Sequence, residues 1–426
     1  MKKSTFLKYF IMSLIFGSIL VSGLQMTGGT TVADGDIKAG FIYVGPIGDY
    51  GWTHAHNEGR TIIDNKYDWL TTVYIESVKE DTASVVAAVD TLVADDCNVI
   101  FTTSFGFMDG TIAAAEKYPD VVFFHCSGFK RAKNVGTYFA DFYQLYYLNG
   151  LMAGALSESG KLGYVAAFPI PEVIRHINAW TLGALEVNSS ATVDVRWINS
   201  WYNPTAATSA ANALIADGCD MLAFTEDSPT VVEVAEATAD VYSFSHYSPM
   251  QSYGPNSCIS GQLAHWDVMY DEILLQIHDG NYTKSNLEDV DYLWFLHEKA
   301  VELGGKAGVP INTKFVDDLN AVIVTDDVLG EVSVYNLTMT RLDQMNNTWA
   351  DVDFDPFTGP IKAQNGTTMF KSGERASIPD LFSDMTWFVD GVIGTIPEEG
   401  AASIDFFVIF LGILALGAFQ FSRRKK

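Results

Sequence analysis

An internal duplication constrains the fold of this chain more than any other feature of its sequence. The segment 38–47, KAGFIYVGPI, is repeated in altered form as 161–170, KLGYVAAFPI, and the segment 92–100, LVADDCNVI, is repeated as 214–222, LIADGCDML. The copies lie about 122 residues apart, and self-similarity at a fixed spacing is typical of a chain built from repeated structural units. The duplication therefore predicts two similar half-chains.

Each half-chain alternates short apolar runs with amphipathic stretches. The runs that predict strands are 39–45, 71–78, 98–104 and 121–126 in the first half, and 162–168, 192–199, 220–226 and 241–245 in the second. Strands that are apolar along their whole length and separated by helices indicate a parallel sheet with both faces covered. We therefore predict an α/β fold with two doubly wound parallel-sheet lobes joined by a hinge.

The segments after about residue 255 cross back between the lobes in this prediction. They contain a predicted helix at 267–279 and a candidate helix at 294–302. The predicted organisation is a two-lobed region at 34–365, with lobe 1 at about 36–139 plus part of 255–300, lobe 2 at about 140–254 plus later segments, and a C-terminal extension at 366–403. Two such lobes, with the carboxyl ends of their strands toward a shared cleft, form a hinged trap for a small molecule.

Both ends of the chain carry sequence typical of membrane targeting. Basic residues precede an apolar run at 10–24 and small residues at 31–33, which predicts a signal peptide over 1–33. An apolar run at 404–421 is followed by the basic tail 422–426, which predicts a transmembrane anchor with its C-terminus in the cytoplasm. We therefore expect a single-pass protein of the cell membrane whose binding region is extracellular. A buried core helix and a processed sorting tail are the alternatives for 404–421.

The composition excludes some partners and cofactors. The chain has 52 acidic and 26 basic residues and a net charge of −26, so it repels phosphate backbones and we expect no nucleic-acid binding. Its 4 cysteines are too few and too widely spaced for a disulfide scaffold or a zinc site. We expect buried thiols, with one or two bridges left open. The sequence has no nucleotide-binding P-loop, metalloprotease or calcium-loop motif, so we predict no cofactor and a binding function rather than an enzyme.

The loop after the first predicted strand, 45–59, carries the first candidate ligand-binding residues. Asp49 and Thr53 are expected near the start of the following helix, where they can cap it. Trp52 sits at the same point, and an indole at the mouth of a parallel-sheet cleft is a natural stacking surface for a planar ligand. Packing of Trp52 in the core is the alternative.

The loop after the third predicted strand, 102–109, opens a helix. Backbone N–H groups at such a helix start can hold a polar ligand edge, with Ser104, Phe105 and Gly106 as the candidate residues. Ser104 and Gly106 also match half of a G-x-S-x-G nucleophile elbow, but Thr102 replaces the first glycine. A hydrolytic serine is therefore the less favoured alternative.

The corresponding loops of the second half, 199–204 and 225–229, supply an indole and a carboxylate. Trp201 is expected beside the cleft, opposite Trp52, so that the two rings sandwich a planar ligand. Asp227 is expected to accept from a ligand amine or hydroxyl, with helix capping as the alternative. The predicted ligand-binding residues are Asp49, Trp52, Thr53, Ser104, Phe105, Gly106, Trp201, Asp227 and Trp266.

Four segments, 40–53, 101–109, 199–204 and 355–361, resemble one protein family. Their sequences GFIYVGPIGDYGWT, FTTSFGFMD, NSWYNP and DPFTGPI are similar, in this order, to the BMP (basic membrane protein) family of ABC transporter substrate-binding proteins. The resemblance implies the type I periplasmic-binding fold and capture of a purine base or nucleoside, and the GDYGW form resembles the adenine-like branch. By this resemblance, Trp52 and Trp201 hold the two stacking positions.

The resemblance also implies partners and a role. An importer component delivers its ligand unchanged to ABC permease and ATPase subunits, whereas a ligand-sensing ectodomain and a nucleoside-processing enzyme are the alternative functions. The sequence departs from the family where Pro249 replaces a usual carboxylate, and where Asp141 and Gln144 replace a usual Arg and Glu. Purine specificity therefore rests on the remaining loop residues.

Overall fold

The computed structural model describes residues 37–397, and within them the two half-chains form the same series of elements. The first half contains strands β1 (Ile37–Ile42), β2 (Leu70–Ile75), β3 (Val99–Thr102), β4 (Val122–Cys126) and β5 (Val135–Ala140), with helices α1 (Trp52–Asp64), α2 (Thr82–Ala94) and α3 (Met108–Lys117). Helix α4 (Tyr143–Leu156) leads into the second half. That half contains strands β6 (Lys161–Ala166), β7 (Thr192–Trp197), β8 (Met221–Phe224), β9 (Tyr242–Tyr247) and β10 (Cys258–Ala264), with helices α5 (Pro171–Val187), α6 (Pro204–Ala216) and α7 (Thr230–Glu236).

The rest of the described chain adds shorter elements to this frame. They are helix α8 (Trp266–His278), strands β11 (Asp291–Trp294) and β12 (Val301–Leu303), helix α9 (Val316–Ala321), strands β13 (Ile323–Asp326) and β14 (Gly330–Ser333), helix α10 (Val334–Met345), strands β15 (Ile361–Lys362) and β16 (Thr368–Phe370), helix α11 (Ile378–Phe382) and strand β17 (Val392–Ile393). Helix α8 agrees with the helix predicted at 267–279, and it packs on α1 of the first half.

Two large sheets carry the duplication. The first sheet has the order β11-β5-β4-β3-β1-β2, and the second has the order β12-β10-β9-β8-β6-β7-β17. All neighbouring strands are parallel except β12, which runs antiparallel to β10. The five strands of each half follow the same order, and in each the direction of winding reverses beside the first strand of the half. The α/β fold of two doubly wound parallel-sheet lobes is therefore confirmed, and each sheet has a switch point where ligands bind in such folds.

The structure also corrects two parts of the sequence prediction. Strands β5 and β10 were not predicted, because glycines and polar residues interrupt their apolar runs, VGTYFA and CISGQLA. The candidate helix at 294–302 is wrong, because Trp294 ends β11 and Val301 begins β12. Pairing at the edges of the two sheets overrides the local pattern there.

Helices α4 and α5 form the most intimate helix contact in the chain, and glycines make it possible. A Cβ atom on Gly183 of α5 would lie 2.1 Å from the carbonyl oxygen of Tyr147, and one on Gly150 of α4 would lie 2.2 Å from the carbonyl oxygen of Trp180. The two backbones therefore pack directly on one another. Because the contacting atoms belong to the backbone, no side-chain rotation can make room for a methyl group.

The C-terminal part of the described chain packs against the second sheet. Strand β17 pairs with β7 at the edge of that sheet. Asn178 on α5 donates to the carbonyl oxygen of Trp387 at 2.9 Å and accepts from the N–H of Val389 at 2.9 Å. Arg175 donates to the carbonyl oxygen of Leu381 at 2.7 Å. The domain boundaries given above, including the extension at 366–403, stay predictions.

The prediction of a single-pass membrane localisation requires a correction. Among residues 37–397, no helix combines the length and the apolar character needed to cross a membrane, so this prediction is wrong for the described part of the chain. The signal peptide predicted at 1–33, the anchor predicted at 404–421 and the basic tail at 422–426 lie outside the described residues.

The four cysteines are free and buried, so the bridges left open by the sequence do not form. Cys97 and Cys219 occupy equivalent turns before β3 and β8 in the two halves. Burial raises the pKa of the Cys97 thiol to about 11, which keeps it protonated and unreactive. These cysteines pack the core.

Replacing Gly183 with alanine should destabilise the fold. In an open helix position the change would be favourable by up to about 1 kcal/mol, because alanine is the better helix former. Here the added methyl group meets a backbone oxygen, so we expect a net loss of about 1–3 kcal/mol in the free energy of unfolding. Gly48→Ala is the control, because a Cβ at Gly48 has no neighbour within 4 Å. Equal melting temperatures for the two variants, measured by calorimetry, would contradict the close helix contact.

Candidate functional site

A cavity lies where the loops of the two sheets meet. Its lining residues sit at or beyond the carboxyl ends of strands: Val44, Trp52, Ser104, Phe105 and Ser127 from the first sheet, and Glu172, Trp201, Asp227 and Tyr247 from the second. The volume that the centre of a water molecule can occupy within it is about 20 Å³. That is room for about one water molecule, so a larger ligand enters only if the loops move apart.

The two predicted indoles both line this cavity, and each is fixed by a hydrogen bond. Trp52 donates from Nε1 to the carbonyl oxygen of Thr103 at 2.5 Å, and its ring packs edge-to-face on Tyr247 at 4.9 Å between centroids. Trp201 is half-buried and donates from Nε1 to a carboxylate oxygen of Glu80 at 3.2 Å. Trp52 therefore belongs both to the core and to the cavity wall, whereas Trp201 belongs mainly to the wall.

The structure brings five of the nine predicted residues to the cavity. They are Trp52, Ser104, Phe105, Trp201 and Asp227. The Asp49 carboxylate instead accepts from the backbone N–H groups of Thr53 and His54, at 3.1 and 2.9 Å, and so holds the first turn of α1. Thr53 itself accepts from the N–H of Gly45 at 3.1 Å.

The other two predicted residues lie beside the cavity or behind its wall. Gly106 donates its backbone N–H to Glu80 at 3.1 Å. Trp266, at the start of α8, is fully buried behind Trp52, with ring centroids 5.1 Å apart. Its ring meets the Trp52 ring edge-to-face.

Glu80 is a site residue that the sequence reasoning missed. It stands in the loop after β2, and its carboxylate accepts from the hydroxyl of Ser104 at 2.5 Å as well as from Trp201. Ser104 belongs to the first half and Trp201 to the second, so Glu80 ties the two halves together. The loop after β2 begins at the same sheet edge as the other cavity loops, but no residue pattern in it shows that a side chain reaches Trp201.

Glu172 is a second missed residue, and the duplication contains the signal for it. Extending the alignment of 38–47 with 161–170 by two residues pairs Asp49 with Glu172. Glu172 is in the first turn of α5 and accepts from the hydroxyl of Ser127 at 2.9 Å and from that of Tyr247 at 3.3 Å. Unlike Asp49, it faces the cavity.

Four carboxyl groups are buried in or behind the cavity wall. Burial raises the pKa of Glu172 to about 7 and that of Glu226 to about 8. Burial also raises the pKa of Asp49 to about 6, although backbone N–H groups oppose the shift. Burial first, and then the like charges of Asp49 and Glu226, raise the pKa of Asp227 well above its ordinary value. A buried acid without a nearby cation favours its protonated form.

The loops of the two halves touch at Gly51. A Cβ atom on Gly51 would lie 2.5 Å from Cα of Asp227, so only glycine allows this approach. Ser248 of the second half donates its hydroxyl to the carbonyl oxygen of Gly51 at 3.1 Å. The two lobes are therefore closed over the cavity.

Backbone strain is concentrated in the same loops. Tyr50, Ser127, Asn199 and Tyr247 all have positive φ, with values of 61°, 67°, 50° and 61°. Such conformations cost about 1–3 kcal/mol each for residues other than glycine and cluster at functional sites. Their presence in four loops around one cavity supports a functional role for it.

The hydrolytic alternative lacks the required geometry. The hydroxyl of Ser104 donates to a carboxylate, and the nearest histidine, His125, contacts the carbonyl oxygen of Ser104 at 2.8 Å rather than its hydroxyl. Within 37–397, no group of three or more His, Cys, Asp or Glu side chains is arranged to hold a metal ion. Aromatic rings and buried carboxyl groups make up most of the cavity wall instead.

A second cavity, larger than the first, lies away from the strand ends. The volume that the centres of water molecules can occupy within it is about 360 Å³, and its walls come from Tyr147, Leu182, Glu186, Arg375 and the segment 352–361. Its buried Asp355 already has a cationic partner, since it accepts from half-buried Arg375 at 2.8 Å. Volume alone therefore does not make it the better candidate.

Comparison with known proteins places the chain among solute-binding proteins. Residues 37–335 match the Bmp family, described as ABC transporter substrate-binding protein PnrA-like. A Haloferax volcanii protein named as an ABC transporter glucose-binding protein is 34% identical over 376 residues, covering 88% of this chain and 85% of the relative. A Brucella abortus purine-binding protein is 32% identical over 375 residues, covering 88% of this chain and 97% of the relative.

A solved structure supports the fold independently. The solute-binding protein of an ABC transporter system from Aeropyrum pernix has a TM-score of 0.60 against this chain, covering 73% of this chain and 91% of the other. The two sequences are 15% identical, so this likeness concerns the fold alone.

The buried carboxyl groups should make stability depend on pH. Because the pKa of Glu226 rises from 4.5 to about 8 on folding, its contribution is complete below about pH 4.5 and is lost as the pH rises through 8. Glu226→Gln removes this titration. Between about pH 5 and pH 8, the free energy of unfolding of the variant should therefore fall less than that of the parent. The difference between the two decreases should be at least about 1.4 kcal/mol, which corresponds to one pKa unit. Chemical denaturation at both pH values measures this, with exposed Glu233→Gln as the control. Parallel pH profiles for parent and Glu226→Gln would contradict the prediction.

Substitution of Gly51 should hold the lobes apart. The alanine methyl group in Gly51→Ala would meet the backbone of Asp227, at a cost of about 1–3 kcal/mol to the closed arrangement. We expect a larger radius of gyration in small-angle scattering than for the parent, and no change for Gly48→Ala. An unchanged radius for Gly51→Ala would mean that the loop contact does not set the closure.

Proposed function

This chain belongs to the Bmp family of PnrA-like ABC transporter substrate-binding proteins, and from that premise we propose that it captures a purine base or nucleoside in the cavity between its lobes and delivers it to a membrane permease. The family predicted from the sequence is confirmed. Substrate-binding proteins of this class bind small molecules, and the identity of the small molecule is what we propose here.

One observation carries the purine assignment. Trp52 from the first half and Trp201 from the second line the same cavity, which Phe105 and Tyr247 also line. Aromatic side chains favour flat ligands because stacked rings share large apolar faces. Four aromatic residues among nine therefore support a heteroaromatic ring as the ligand.

A sugar is the second candidate, because one of the two similar relatives is named as glucose-binding. The other is named as purine-binding, at nearly the same identity. Calorimetric titration of the full chain with adenine, adenosine and D-glucose separates the two ligand classes. Saturable binding of glucose, with none of either purine compound, would overturn the proposed function.

The proposed function is binding without chemical change. Each lobe supplies one part of the cavity wall. A ligand that contacts both parts favours the closed state, because it makes more contacts there than in an open state. Contacts across the cleft, such as Trp201 with Glu80, then form together with ligand capture. If mass spectrometry detects a product formed from a bound nucleoside, the proposal of binding without chemical change is contradicted.

Trp201→Ala provides the direct test of stacking. Loss of one aromatic ring is worth about 1–3 kcal/mol per stacked base, so affinity for the purine ligand should fall by about 5- to 150-fold. Because Trp201 is half-buried, the melting temperature should change little. Trp69→Ala is the matched control: Trp69 is also half-buried and stacks on Tyr67, 4.6 Å away, at the opposite end of β2.

Trp52→Ala completes the comparison. Its ring is buried against Tyr247 and Trp266, so this variant should lose both affinity and thermal stability. If Trp201→Ala keeps the parent affinity for adenine and adenosine, the aromatic sandwich is wrong.

A further inference from the structure

Four buried carboxyl groups lie where the loops of the two lobes meet, and we call them the boundary acids. They are Asp49, Glu172, Glu226 and Asp227, and none of these residues is more than 9% exposed. Asp49 stands in the loop after β1 of the first half, whereas the other three belong to the second half. Closure of the lobes therefore brings acids of both halves to one boundary.

Asp49 and Asp227 approach each other across this boundary through Gly51. The Asp49 carboxylate accepts from the backbone N–H of Gly51 at 2.9 Å, and a Cβ atom on Gly51 would lie 2.5 Å from Cα of Asp227. Oδ1 of Asp227 has no hydrogen-bond partner. Two ionised carboxyl groups in this position would repel each other with little screening by water or salt.

The groups packed around the boundary acids supply little positive charge. None of the nine residues that line the cavity is Lys, Arg or His. Arg175 acts on Glu172, but it already donates to Asp141 at 3.0 Å. Tyr247 donates to Glu172 at 3.3 Å and is itself neutral, because burial raises its pKa well above the ordinary value. Glu80, in the loop after β2, adds a further carboxyl group.

The buried histidines near the boundary are neutral as well. Burial lowers the pKa of His56 on α1, His176 on α5 and His246 on β9 well below the ordinary value. It lowers the pKa of His125, at the end of β4, to about 4. His54 turns its ring to a backbone carbonyl oxygen at 3.2 Å. Protonation at the boundary is therefore mainly a matter of its carboxyl groups.

The closed and open states differ in the number of protons that they bind. In the closed state, burial raises the pKa of Glu172 to about 7 and that of Glu226 to about 8, both from 4.5. Burial and the charge of Asp49 raise the pKa of Asp227 well above 3.8. Opening returns water to the boundary and separates Asp49 from Asp227, which moves these pKa values back toward the ordinary ones. The closed state therefore binds more protons, and its population falls as the pH rises through the raised values.

We propose that closure of the two lobes is coupled to proton uptake by the boundary acids, so that acid pH favours the closed state and alkaline pH favours the open state. This inference concerns the movement of the lobes and goes beyond the proposed function, because it holds for a purine and for a sugar. Each proton taken up on closure changes the ratio of closed to open molecules by about 10-fold per pH unit. The protein would then retain its ligand more tightly in an acidic medium than in an alkaline one.

Small-angle scattering of the full chain without added ligand tests the coupling. We expect a larger radius of gyration at about pH 8.5 than at about pH 6, because exposed carboxyl groups are ionised at both values while the boundary acids lose protons between them. Melting curves at both pH values show whether the chain is folded. Equal radii for the folded chain at the two values would overturn the inference.

Amide variants separate the boundary acids from the other charges. Asp227→Asn and the double variant Asp227→Asn/Glu226→Gln resemble the protonated acids in shape and are neutral at both pH values. The increase in radius should be smaller in the single variant and smallest in the double variant. Asp95→Asn is the control and should keep the increase of the parent, because this carboxylate is exposed at the end of α2 and pairs with Lys38 at 2.9 Å. If the folded double variant also keeps the full increase, the boundary acids do not control closure.

Proton uptake on binding is the second measurement. Adenine, adenosine and D-glucose are titrated calorimetrically into the full chain in phosphate and in Tris, and the difference in heat gives the number of protons exchanged. For a compound that binds at about pH 7.5, we expect a net uptake of about one proton and an affinity that falls by about 10-fold or more between pH 6 and pH 8.5. Binding without proton uptake would contradict the coupling. If glucose alone binds, the purine proposal fails, whereas proton uptake with glucose would still support this inference.

Discussion

The facing carboxyl ends of two parallel sheets are the constraint on which the rest of the structure depends. A parallel strand must be followed by a crossover, and the loops that begin these crossovers all emerge at one edge of the sheet. The five strands of each half follow the same order, and loops from the carboxyl ends of both sets line one cavity. The cavity, its aromatic walls and its buried acids are all built from residues in those loops.

The buried acids are a cost to the stability of the second half. An ionised carboxyl group that leaves water without a cation loses several kcal/mol of solvation, and Asp227 and Glu226 lie side by side. The close backbone packing of α4 on α5 and the extra strand β17 at the edge of the second sheet belong to the half that carries Glu172, Glu226 and Asp227. Backbone strain and buried acids with raised pKa values are both typical of functional sites.

Much of the fold follows from the sequence, and the site follows in part. The duplication and the apolar runs predict the strands because burial on both faces leaves a clear pattern. Trp201 and Asp227 line the cavity because each follows a predicted strand, whereas the position of Trp266 depends on how α8 packs, which the local sequence does not show. Glu80 acts through the reach of its side chain across two halves, which no local pattern encodes. Short edge strands such as β12 form because they pair with a neighbouring strand, and the local sequence pattern does not predict them.

The equivalence of Asp49 and Glu172 in the duplicated halves has a consequence for how a flat molecule sits between them. Two copies of one unit, set face to face, would present matching walls to the two faces of a ring, and the ring could bind either way up. Here one copy turns its acid toward its own helix, and the other turns its acid toward the cavity. The scaffold has kept its approximate symmetry while its lining has lost it, so the two faces and the edges of the proposed ring would meet different partners, which would favour one orientation.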